Sequence, residues 1–131
     1  MIHIVYGPPG GGKTTYVKKH MVPGDAVIDF DAIFQAVSFS GPHQNESLLF
    51  DFVSQMRADA EMVIPEHPEI RNWWIIRCEL ADVEQSLIDV ADIVLIDPGR
   101  LEVLRRMSHD KNRPTWEKWI PIVDKWYAAN G

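Results

Sequence analysis

The sequence predicts a three-layer α/β fold with a parallel sheet of about four strands, and three observations carry that reading. Short apolar runs alternate with segments of helical periodicity, and such alternation implies parallel strands joined by right-handed crossovers. The first run, Ile2-His3-Ile4-Val5-Tyr6, opens into a loop of glycines and prolines that leads directly into a helical segment. The run Asp92 to Asp97 is apolar at every interior position, as a strand covered on both faces should be.

The elements follow in order. Ile2 to Tyr6 is the first strand, and Thr15 to Met21 is a helix that starts near Lys13 and closes at Pro23-Gly24. Ala26 to Phe30 is the second strand. Asp31, a residue type that caps helices well, opens a short helix through about Val37, and Ser38 to Asn45 is a loop. Ser47 to Ile64 is the longest helix: Leu49, Phe52, Val53, Met56, Ala60 and Val63 recur at three- and four-residue spacing, a core-facing stripe. Asn72 to Cys78 is the third strand, Asp82 to about Val90 a helix, and Asp92 to Asp97 the fourth strand. Pro98-Gly99 turns the chain into a helix from Arg100 to Met107, followed by the polar loop Ser108 to Pro114, and residues 105–114 have the look of a short lid. In the tail, residues 115–131, the side chains Trp116, Trp119, Ile120, Val123, Trp126 and Tyr127 lie at helical spacing and are expected to dock on the core. A proline inside a helix costs about 3 kcal/mol, so Pro121 predicts a kink or a break.

Composition narrows the class. The 131 residues make a single domain near the lower size limit for an α/β sheet protein. One cysteine, Cys78, excludes an internal disulfide framework and suits a reducing, cytoplasmic setting. No apolar run approaches a membrane span, and the N-terminus lacks a charged-then-apolar signal pattern. A net charge of −6 disfavours a broad nucleic-acid surface.

The chemistry concentrates in Gly7-Pro8-Pro9-Gly10-Gly11-Gly12-Lys13-Thr14, which fits G-x-x-x-x-G-K-[ST] without substitution. Glycines let a backbone fold into a cup whose N–H groups point inward, and any Cβ there would block a phosphate. The prolines donate no N–H, so the donors start at Gly10. Lys13 brings a point charge for the outer phosphates, the Thr14 hydroxyl is placed for Mg²⁺, and a helix N-terminus favours the same anion. Thr15 completes the candidate nucleotide-binding set. The glycines fit no dinucleotide register.

Two further groups stand at strand ends. Asp29 and Asp31, spaced like residues on one face of an extended strand, provide one carboxylate for Mg²⁺ and one to accept an attacking hydroxyl's proton. Arg100, Arg105, Arg106 and Arg113 follow the fourth strand, where charge on a transferred phosphoryl group needs offsetting. Asp97 ends a strand in the manner of a metal-side aspartate, but Pro98 stands where ATPase motors place a glutamate. Arg77 stands where it could touch substrate, although an arginine at a strand edge reads first as a surface residue, and Cys78 reads as inert core. The five histidines show no metal-ligand spacing.

Together the glycine motif, Val27-Ile28-Asp29-Phe30-Asp31, and Ile96-Asp97-Pro98 with Arg105 and Arg106 downstream resemble small P-loop kinases. That group includes nucleotide, shikimate and polynucleotide kinases, with compact versions among phage-encoded ATP-binding proteins. The resemblance implies sheet order 2-3-1-4, ATP and Mg²⁺ as cofactors, Asp29 on the metal side, Asp31 on the acceptor side, and Arg105, Arg106 or Arg113 as lid arginines. It departs from the group in its short lid and in an aromatic tail where a fifth strand usually stands. The expected activity is phosphoryl transfer to a small nucleotide-like acceptor, most simply a nucleoside monophosphate. A polynucleotide 5′-hydroxyl end is the alternative acceptor, and a nucleotide switch or ATPase working through a partner protein is the competing class. The small acceptor is favoured because Phe34 to Phe52 carries no lysine or arginine but does offer Phe34, Phe39, Phe50 and Phe52 for stacking on a base.

Overall fold

The computed structural model describes residues 1–42 and 47–130. Four parallel strands, β1 (Ile2–Tyr6), β2 (Ala26–Ile28), β3 (Trp73–Arg77) and β4 (Asp92–Leu95), form one sheet in the order β2-β3-β1-β4. Register aligns Ile28 with Ile75, Ile75 with Ile4, and Ile4 with Ile93, an isoleucine row across the sheet. Side chains alternate across a strand, so each face buries its own set. On one face Ile4, Ile28, Trp73 and Ile75 pack with Ile64, Val83 and Leu87; on the other Val5, Trp74 and Ile76 pack with Val17.

Helices supply the covering layers: α1 (Lys13–His20), α2 (Phe30–Ser38), α3 (Phe50–Met62), α4 (Gln85–Ile88), α5 (Arg100–His109) and α6 (Ile120–Asn130). Val17 of α1 covers one face, while Ala60 of α3 and Leu87 of α4 belong to the other. Val103 and Met107 of α5 pack on Val123 of α6, a third cluster. Among the described residues no helix is long and apolar enough to cross a membrane.

Several expectations need correction. Strand β2 ends at Ile28 because Asp29, not Asp31, caps α2, its carboxylate accepting from the Ala32 N–H at 3.2 Å. Strand β4 is not covered on both faces: it is an edge strand, and Ile93 and Leu95 are 40% and 51% exposed. In α3 the stripe holds at Val53 but not at Phe52 or Val63, which are exposed, whereas Glu61 is buried. Residues 43–45 of the expected loop Ser38 to Asn45 lie outside the described residues. Pro121 is the second residue of α6, after a 3-10 turn, Trp116–Trp119; the chain breaks there, where a missing N–H costs nothing. The tail docks as expected, with Val123 and Trp126 buried.

Candidate functional site

Loop 7–12 leaves β1 at the carboxyl ends of the strands, where open α/β sheets place their ligands. It is closed by the Gly11 N–H donating to the Pro8 carbonyl at 3.0 Å. A Cβ on Gly7 would stand 2.0 Å from the Ile96 carbonyl oxygen, so a side chain there collides with backbone leaving β4. Gly12, at φ +97°, adopts the left-handed conformation that turns the loop into α1.

Lys13 is buried, and its Nζ donates to the Gly7 and Pro8 carbonyls at 2.8 Å each. Burial lowers its pKa; the neighbouring Cys78 and Asp29 act in the opposite direction. Thr14 and Thr15 are exposed on the first turn of α1 and face the same cleft.

That cleft, about 1150 Å³, brings together residues far apart in sequence, among them Lys13, Asp29, Asp31, Arg106 and Arg113. The two aspartates reach it differently from the expected shared strand face: Asp29 is the cap of α2 and Asp31 lies in its first turn. Burial, and next the Asp31 charge, raise the Asp29 pKa.

The arginines divide. Arg106 Nη1 donates to the Gly11 carbonyl at 3.2 Å, and its Nε to Glu102 at 3.0 Å. Arg113, buried beyond α5, has its Nη1 2.9 Å from where a Gly10 Cβ would stand and its Cζ 4.4 Å from the Trp119 ring centroid. Burial lowers the Arg113 pKa, while Asp110 and then Asp31 raise it. Arg105 is instead turned outward onto Glu102, at 2.7 and 2.8 Å, and does not line the cleft. Arg100 pairs with Asp124 at 2.6 Å. The expected lid, 105–114, is thus the end of α5 plus a turn closed by the Arg113 N–H on the Asp110 carbonyl.

No family model matches the chain, and a search of curated proteins returned no match.

The cleft also holds residues that sequence reasoning misplaced or missed. Arg77, expected at the surface, is buried at the end of β3 and pairs with buried Glu61 of α3. Arg57 lies beside them, 5.7 Å from the Phe30 ring centroid, and Phe50 stands 5.2 Å from Phe30. The available signal was spacing: Val53, Arg57 and Glu61 fall at four-residue intervals, so two charges share the side of α3 that buries Val53. Of the candidate stacking residues, Phe50 lines the cleft; Phe34 is buried core, and Phe39 and Phe52 are exposed outside it. Cys78 is also not inert core. It is exposed in the cleft, with its Sγ 3.6 Å from Lys13 Nζ. Asp97 accepts from the Tyr127 hydroxyl at 2.6 Å and the Gly99 N–H at 2.9 Å.

Among the described residues no three His, Cys, Asp or Glu side chains cluster as a cage. Mg²⁺ needs no such cage, since it keeps waters and uses one or two protein oxygens plus substrate phosphates. Thr14 and Asp29 are the side chains that would hold it.

Proposed function

We propose that this chain binds a nucleoside triphosphate, ATP, with Mg²⁺ and transfers its terminal phosphoryl group to a small anionic acceptor, most simply a nucleoside monophosphate. The observation that carries the reading is the convergence on one cleft of the glycine loop, Lys13, two α2 carboxylates and two arginines from after β4. Loop 7–14 cradles the triphosphate, the backbone donors of Gly10 and of Gly12 to Thr14 and the Lys13 ammonium meeting its oxygens. Thr14 and Asp29 would hold Mg²⁺, which would supply neutralisation of charge on the outer phosphates. The acceptor's oxygen bonds to the terminal phosphorus as the bond to the bridging oxygen breaks, and the nucleoside diphosphate leaves with that electron pair; Asp31 takes the proton wherever the attacking oxygen carries one, as a hydroxyl or a monoanionic phosphate does. Arg106 and Arg113 offset charge on the transferred group.

The lining supplied by α2 and α3 favours a small acceptor. Arg57 stands beside the Arg77–Glu61 pair and leaves one positive charge in excess there, matching an acceptor phosphate, and Phe30 with Phe50 offers an aromatic wall for one base. A long strand would need further phosphate contacts along a basic stripe.

The test is ADP release over a panel of nucleoside monophosphates and 5′-hydroxyl oligonucleotides, from low to moderate salt, with Asp31→Asn in parallel. Release stimulated by a monophosphate, and lost in Asp31→Asn with ATP binding retained, is expected. Oligonucleotide phosphorylation with a steep salt slope and no monophosphate accepted would overturn the acceptor class.

A further inference from the structure

The C-terminal segment does more than cover the core, because it touches the cleft at three points. Trp126 Nε1 donates to the Cys78 carbonyl at 2.7 Å, the Tyr127 hydroxyl reaches Asp97, and Trp119 lies against Arg113. The third contact reaches furthest into the site. Arg113 stands between two elements, with the loop glycine Gly10 on one side and the Trp119 ring on the other. Its Nη1 occupies the space that any side chain at position 10 would need.

A buried guanidinium on a long side chain keeps one orientation only where neighbours replace its water. Asp110 brings negative charge to within 3.9 Å of Arg113 Nε. The indole face contributes direction, because the ring quadrupole holds a cation above its plane and Trp is the strongest aromatic partner. The ring is itself fixed: Trp119 packs on the cluster of Val103, Met107 and Val123 that joins α5 to α6.

We infer that Trp119 is a positioning residue for Arg113, which makes the C-terminal segment part of the phosphate-binding apparatus. This rests on the reading of loop 7–14 as a triphosphate site. Phosphate entering the loop meets an arginine already aimed at Gly10, so its orientation need not be fixed during binding.

The test compares Trp119→Phe, which keeps a ring face, with Trp119→Leu, which keeps apolar volume without one. MgATP affinity is measured by calorimetry and the melting midpoint by circular dichroism, and both substitutions are repeated in an Arg113→Met background. Trp119→Leu is expected to weaken MgATP binding about five- to tenfold with the midpoint nearly kept, and Trp119→Phe to stay within about twofold of wild type. In the Arg113→Met background Trp119→Leu should cost nothing further, since the pair is already broken. Arg113→Met alone, which leaves the apolar cluster intact, must weaken binding at least as much as Trp119→Leu does. Equal binding by Trp119→Leu and wild type, no recovery with Phe, or full additivity with Arg113→Met would overturn the inference. A wild-type chain that binds no MgATP removes the triphosphate reading beneath it as well, which none of the variant comparisons does.

Discussion

Replacing Glu61 by alanine is expected to destabilise the fold by about 3–5 kcal/mol, because removing one partner of a buried ion pair strands the other charge. The side chains of Arg77 and Glu61 are 3% and 6% exposed, so solvent screens neither. Arg77 Nη1 donates to the Ile76 carbonyl at 3.3 Å, and its Nε has no hydrogen-bond partner among the described residues. The Glu61 carboxylate is therefore the main neutraliser of a guanidinium sealed at the end of β3. A domain of this size has about 5–15 kcal/mol of stability in total, so the loss is a large share. Urea melts followed by far-ultraviolet circular dichroism should show the midpoint falling by at least about 1 M. A double replacement, Glu61→Leu with Arg77→Met, should recover most of the loss, since it leaves no buried charge. A loss below about 1 kcal/mol for Glu61→Ala, or a double variant as damaged as the single one, would refute the buried-pair argument.

Three more expectations concern the cleft. Lys13→Ala should weaken ATP binding by at least about tenfold in calorimetry while the circular dichroism spectrum stays native, because a buried charge-assisted contact to phosphate is lost. Asp29→Asn keeps a good cap but removes a carboxyl whose pKa burial raises, and the sign of its pH effect follows. A raised carboxyl favours folding fully below the unfolded value, about pH 4, and that contribution is lost as pH rises through the folded value. Asp29→Asn should therefore be more stable than wild type at neutral pH, with melting curves converging toward pH 4. Arg106→Ala should lower kcat by about tenfold or more in steady-state ADP release, whereas Arg105→Ala should leave it unchanged.

The sheet was legible because Ile, Val and Trp runs leave few alternatives, and the glycine loop because few residue types tolerate its backbone. What escaped the sequence was phase and layering. Arg105 and Arg106 are equivalent in composition, but successive helix positions point about 100° apart, so one reaches Gly11 and its neighbour faces Glu102. Asp29 and Asp31 read as one strand face because the end of β2 depends on which aspartate caps α2. Apolar content in β4 says nothing about whether a neighbour stands on its far side, and none does among the described residues. Arg77 and Cys78 were misjudged together. A strand's last residues are buried or open according to what α3 and α6 bring against them, here Glu61 for one and a Trp126 hydrogen bond to the carbonyl of the other.

The position of β1 has a consequence for assembly during synthesis. The first strand to be made lies inside the finished sheet, and its partners are among the last to appear: Ile4 must wait for both Ile75 and Ile93. Until the ribosome has released the chain through β4, Ile2 to Tyr6 presents two unsatisfied edges with no hairpin to shelter them. Pairing over such separations carries a loop-closure cost before any contact repays it, so folding should be slow and must wait for the synthesis of β4. The open edges of that nascent segment are where misassembly would begin.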